Sequence, residues 1–152
     1  MIKFVLRKTK VESLNEALDL AKKHPKAYSN FKKKLDSVIR LEIREQRIPK
    51  IKAPVAMIIK WYVKNKKMDP DNIFSGAKYI LDAMQDRYTY IQLRGKRTRV
   101  ETDKGIWDGD GFKQFPGGLL HIPLVDPDDP RIEVYLFENL MLHDVADNLI
   151  QQ

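Results

Sequence analysis

The sequence predicts an α/β (α+β) fold: a single domain with a small mixed β-sheet flanked by helices. Three observations predict it. Strand-like stretches, alternating or continuously apolar, are separated by stretches whose apolar residues recur at helical spacing. The chain holds 152 residues, enough for one core. No internal repeat, low-complexity run or Gly/Ser-rich linker marks a second domain.

Residues 2–8 (IKFVLRK) read as a short strand. Ser13-Leu14-Asn15-Glu16 has the spacing of a capping box and opens a helix that His24-Pro25 must close. A second helix is expected from about Tyr28 to Arg47. Phe31, Leu35, Val38, Ile39 and Ile43 form its apolar face, and Lys32, Lys33, Lys34, Arg40, Arg44 and Arg47 its basic one. Val55–Val63 is nearly continuous in apolar and aromatic residues, as in a strand buried on both faces. Residues 73–84 return to helical spacing through Ile73, Ala77, Ile80, Leu81 and Met84. Residues 87–101 alternate on both sides of Arg94-Gly95-Lys96, which reads as a β-hairpin. Arg131–Glu138 alternates as a final strand, and Asn139 is placed to cap a last helix carrying Met141, Leu142, Val145 and Leu149.

Composition excludes several function classes. With zero cysteines there is no disulfide framework, thiolate nucleophile, zinc-finger or iron–sulfur ligation. No apolar run approaches the roughly 20 residues of a membrane span, and MIKFVLRKTK lacks the pattern of a signal peptide. The expectation is a soluble cytoplasmic protein with no membrane partner. There is no Walker-type loop and no G-x-G-x-x-G, so no small-molecule cofactor is expected. The net charge of +7 hides a polarity: residues 1–67 carry 19 Lys and Arg against 6 Asp and Glu, and residues 68–152 carry 9 against 15. A basic segment joined to an acidic one suits a polyanion grip attached to a carboxylate site, or simply a solvated surface.

Asp69-Pro70-Asp71-Asn72 is the densest chemical signal. In extended backbone, residues two apart point to one side, so both carboxylates project together. Two like charges so close are kept ionised by a divalent cation, and oxygen ligands without Cys or His favour Mg²⁺ or Mn²⁺. The competing reading is an Asp-Pro turn with a helix-capping Asp or Asn. Lys78, seven residues after Asp71 and two turns along the following helix, faces back toward the carboxylates, where it could stabilise charge on a phosphoryl oxygen; the competing reading is a salt bridge to Asp82 at i+4. Asp108-Gly109-Asp110-Gly111 adds carboxylates on a glycine-rich loop. It is no EF-hand, because Leu119 stands where the twelfth-position Glu belongs. Asp126-Pro127-Asp128-Asp129-Pro130 reads as a solvated connection, and His24, His121 and His143 show no ligand spacing.

The runs KKMDPDNIFSGAKYILDAM and GIWDGDGFKQF, with SLNEAL, YSNFKKKLDSVIRLEIR and APVAMIIKWYVKN upstream, resemble the RusA family of Holliday junction resolvases. The likeness is to forms carried by phages of Gram-positive bacteria. It covers about residues 13–115 and the final strand. The resemblance implies a dimeric, Mg²⁺-dependent endodeoxyribonuclease acting on four-way DNA in the bacterial cytoplasm. The family's metal-binding aspartates fall on Asp69, Asp71 and Asp110, its lysine on Lys78 and its asparagine on Asn72. The chain departs from the pattern in two places. Residues 85–104 form an insertion, and Gly109 replaces an often acidic residue, for which Asp108 stands in. The expected DNA contacts are Lys22, Lys23, Lys26, Lys32, Lys33, Lys34, Lys66 and Lys67, with Arg94, Lys96, Arg97 and Arg99 on the insertion. That hairpin either touches phosphates, with Tyr88 and Tyr90 packed beneath or against a base, or extends the sheet or dimer contact. A non-cleaving junction binder, or a nuclease for flaps or other branched DNA, is the alternative.

Overall fold

The computed structural model describes residues 1–52, 54–107 and 117–150, with the side chains of 145, 148 and 149 excepted. In chain order the elements are β1 (Ile2–Leu6), α1 (Val11–Lys23), α2 (Pro25–Glu45), β2 (Val55–Val63), α3 (Pro70–Ser75) and α4 (Ala77–Met84). There follow β3 (Arg87–Leu93), β4 (Lys96–Asp103), β5 (Leu119–Val125), β6 (Arg131–Glu138) and α5 (Leu142–Ile150). The mixed α/β architecture is as expected.

β1, β6, β2 and β5 form one four-stranded sheet in that order; β2 is antiparallel to β6 and parallel to β5. Register puts Phe4 opposite Val134 and Ile59, in turn, opposite Val134 on the other side. These residues, with Leu6, Met57, Trp61, Ile132 and Leu136, make one fully buried face. Leu14 and Ala17 of α1, Leu35, Ile39 and Ile43 of α2, and Ile80 and Met84 of α4 belong to the same core. The opposite face is half-exposed: Ile58, Lys60 and Tyr62 alternate with the buried set, so β2 is not buried equally on both faces as its sequence suggests. Lys3 and Lys60 lie over the Tyr135 ring there, and Arg131 over Tyr62.

Several local expectations are corrected. Ser13 is no N-cap: α1 starts at Val11 behind Lys10, and no side chain caps it. α2 begins at Pro25, not Tyr28, because proline at the first helical position needs no N–H partner. Asn139 does not cap α5; it adopts φ 60°, a turn conformation asparagine tolerates, and donates its N–H to Pro54. β5 is a strand that the sequence pattern does not predict. Its Pro123 argues against a strand, yet β5 is the sheet edge, where a missing N–H costs no ladder bond.

Buried polar groups tie the layers together. Glu42 on α2 accepts the backbone N–H groups of Arg7, Lys8 and Thr9 at 2.6–3.0 Å and the Thr9 hydroxyl at 2.8 Å. It thereby satisfies three consecutive N–H groups of the turn between β1 and α1. Arg40, expected on the basic outer face, is instead 5% exposed: its Nε bonds Asp36 at 3.0 Å and its Nη2 the Gln85 carbonyl at 2.8 Å. A guanidinium there satisfies carbonyls left open at the end of α4.

β3 and β4 form a separate hairpin exposed along most of its length. Arg94 and Gly95 both take positive φ (50° and 77°), the mirror-image turn that matches strand twist. Its base is pinned by Asp86, whose carboxylate accepts the Gly105 N–H at 2.8 Å and pairs with Lys50. Burial alone would raise the Asp86 pKa; the Lys50 ammonium and the Gly105 N–H hold it below the usual carboxylate range.

Candidate functional site

β2 and β5 run parallel and end together, where the Asp126 N–H closes onto the Val63 carbonyl at 2.9 Å. The carboxyl ends of parallel strands are where open α/β sheets place ligands. The chain leaving β2 there turns through Asn65–Met68 and enters α3. Asp69 sits at the N-cap with extended backbone (φ −67°, ψ 139°), Pro70 is the first helical residue, and the Asp69 carbonyl accepts the N–H groups of Asn72 and Ile73.

The expected extended Asp-Pro-Asp segment is therefore the head of a helix, which proline's fixed φ and missing N–H favour. Asp69 stands at the capping position, yet its side chain makes no capping hydrogen bond. Asp71 follows in the first turn, and Asp69, Asp71 and Asn72 are all exposed. The helix is held from below: Ile73 is buried, and Phe74 stacks on His121 of β5 at 4.7 Å.

Two hollows meet at Met68, the residue before Asp69. One of about 410 Å³ is lined by Lys66, Pro70, Pro123 and neighbouring apolar side chains. The other, of about 400 Å³, is lined by Glu12, Glu16, Asp19 and Asn15 of α1. The first hollow is mainly apolar with one lysine, and the second carries three carboxylates beside Lys23.

Lys78 is exposed on α4, which continues from α3 through Gly76, a residue in helical conformation (φ −66°, ψ −20°) with tightened i→i+3 bonds on either side. A Cβ on Gly76 would stand 2.8 Å from Leu14 Cδ1, so α1 packs closely on the junction. The alternative pairing of Lys78 with Asp82 is not formed, since Asp82 pairs with Lys32 at 2.9 Å. That hydrogen bond raises the Lys32 pKa and commits a lysine expected to face DNA to a carboxylate of α4.

Lys22, Lys23, Lys26, Lys33, Lys34, Lys66 and Lys67 are exposed without an ion pair among the described residues. On the hairpin, Arg97 lies over Tyr90 (4.3 Å to the ring centre) and Arg99 over Tyr88 (3.4 Å). Arg94 occupies the tip and Lys96 follows it, both exposed. Among the described residues no three Asp, Glu, His or Cys groups converge on a metal-sized site. Asp108 and Asp110 lie outside the described residues; Trp107, just before them, is buried and bridged to Gln85. The acidic loop after β5 is tied down rather than merely solvated: Arg131 bonds Asp126 at 2.7 Å, and Arg7 pairs with Asp129.

His121 has a place in this region that its sequence spacing does not reveal. Its Nδ1 accepts the Trp61 indole N–H at 3.1 Å, and burial lowers its pKa, so the ring beneath Phe74 is neutral near pH 7. The signal that could have found it is β5 itself, hidden by Pro123. Compared with family models, curated proteins and solved structures, the chain matches none of them.

Proposed function

We propose that this chain is a Mg²⁺-dependent, structure-specific endodeoxyribonuclease that cuts four-way DNA junctions, a RusA-like enzyme working as a homodimer. The observation that carries the reading is the pair of exposed carboxylates at the head of α3, one at a capping position and capping nothing. Such a pair has oxygen donors to spare, the chemistry a hard divalent cation requires. Asp69 and Asp71 would hold the metal, with Asp110 as third ligand from the sequence motif, Asn72 and Asp108 in support, and Mn²⁺ as a substitute. Bound there, the ion supplies a water of lowered pKa and polarises the scissile phosphate.

The chain's own residues supply the rest. Lys78 would stabilise charge on the phosphoryl oxygens. The exposed lysines of α1 and α2 would neutralise phosphates of the arms. Arg94 supports a hairpin role in binding: it holds positive φ at the tip, where Gly or Asn would be less strained. Two-fold symmetry would present two such sites to opposed strands.

A labelled four-way junction, a flap and a linear duplex, each incubated with Mg²⁺ or EDTA, test the reading on one gel. Paired symmetric cuts in the junction, with Mg²⁺ only, are expected. Cleavage of the flap instead reassigns the substrate, and binding without cleavage under every metal condition makes the chain a junction binder.

A further inference from the structure

The end of α2 carries a second basic feature, apart from the carboxylates of α3. A cavity of about 240 Å³ opens between α2, the end of α4 and residues 104–106. Arg40, Arg44, Arg47 and Lys104 line it together with aliphatic side chains such as Ile43 and Ile48, and no acidic residue among those described does. Its size is below the roughly 300–1,000 Å³ of pockets for drug-sized ligands. A small anion is the matching occupant.

Two observations indicate that these cations are held for a ligand. Arg40 is 5% exposed, and its Nη1 is buried without a hydrogen-bond partner among the described residues. Nη1 makes only a long ion pair, to Asp103 Oδ2 at 3.5 Å. A buried guanidinium nitrogen with a long ion pair and no hydrogen bond is under-satisfied. Independently, Arg47 takes φ 54° just past the end of α2, a position where glycine or asparagine ordinarily stands. The strain persists in a residue whose side chain lines the cavity.

The walls are rigid. The Ile106 N–H bonds the Met84 carbonyl at 2.7 Å, the Ile51 N–H bonds the Ile106 carbonyl at 2.7 Å, and a Cβ on Gly105 would collide with Met84 O at 2.1 Å. Among the described residues, the counter-charge on these arginines comes from two carboxylates that do not line the cavity. Asp36 holds Arg40 and Arg87, and Asp103 contacts Arg40 and Arg44.

We propose that this cavity is a phosphate-binding site, with the Arg40 and Arg44 guanidinia, Arg47 and Lys104 as its donors. Forked guanidinium N–H groups match phosphate oxygens in geometry and charge. The phosphate belongs either to a DNA backbone or to a small molecule. The inference does not depend on the nuclease reading.

The test uses the full chain and Arg47→Gly/Lys104→Ala, since neither residue has an ion pair among the described residues and glycine tolerates the Arg47 backbone. Melting temperature is measured in sodium phosphate and in sodium chloride of equal ionic strength. Phosphate is expected to raise it beyond chloride in the wild type, in a concentration-dependent way. The double variant should melt normally in chloride and bind phosphate at least tenfold more weakly. A phosphate effect equal to chloride, or one retained by the variant, overturns the site. DNA binding against salt identifies the source. A backbone phosphate lowers the variant's log–log slope by about 0.9 and lets inorganic phosphate compete; a small-molecule phosphate leaves the slope unchanged while the stabilisation remains. Loss of junction cleavage alters none of these readouts.

Discussion

At the residue scale, the proposed chemistry rests on carboxylates that make no hydrogen bond or ion pair among the described residues. Asp71→Asn is expected to abolish cleavage while junction affinity stays equal or rises, because one substitution removes both a metal ligand and a charge repelling phosphate. Cutting at a near wild-type rate would remove Asp71 from the site. Lys78→Ala is expected to slow cleavage by roughly 2–4 kcal/mol of transition-state stabilisation, about 30-fold to 10³-fold, with little change in binding. Equal losses of rate and affinity would make Lys78 an ordinary phosphate contact. Glu133 gives a residue-level prediction for stability. Burial would raise its pKa, but bonds from Tyr135, Arg131 and Lys3 bring it down to about 2. Its folded pKa is below the unfolded value, so its contribution is complete above about pH 4.5 and is lost as pH falls toward 2. Urea midpoints measured at pH 5 and pH 3 should therefore differ less in Glu133→Gln than in the wild type.

At the element scale, the β3–β4 hairpin is the part whose role is most open to a direct test. A lone two-stranded hairpin is marginal in water, and this one is held at its base by Arg87 on Asp36 and by Asp103 on Arg40 and Arg44. Replacing residues 89–100 with Asn-Gly keeps those anchors and should leave the urea midpoint of the main domain nearly unchanged. If Arg94, Lys96, Arg97 and Arg99 neutralise phosphates, the shortened chain binds junctions more weakly. Its log–log salt slope then drops by about 0.9 for each phosphate that no longer meets a cation. An unchanged slope with a changed sedimenting mass would make the hairpin a subunit contact.

At the scale of the whole molecule, α1, α2 and α4 contribute to the core on one face of the sheet, and the other face stays half-exposed. Paired cuts across a junction need two sites related by two-fold symmetry. Sedimentation equilibrium should give twice 17.8 kDa at micromolar concentration. A single-chain mass with junction-cutting activity retained would exclude the paired-site arrangement. No helix among the described residues is long and apolar enough to cross a membrane.

The sequence by itself determined what local periodicity and turn chemistry encode. β2, β6 and the hairpin turn at Arg94-Gly95 could be read from alternation and a glycine, and the closing of α1 from His24-Pro25. The Asp69–Asn72 cluster was legible because four consecutive residues carry it. What depends on distant partners was not. Arg40 looks like a surface cation until α4 supplies carbonyls for it, and Lys32 looks free until Asp82 arrives beside it. β5 was hidden because its proline is permissible only at a sheet edge, and edge position is a property of the assembled sheet. The glycine at position 76 fits under Leu14, 62 positions earlier, whose side chain comes within 2.8 Å of where a Cβ would stand. Tertiary structure decided these points because each is settled by which groups meet across the core.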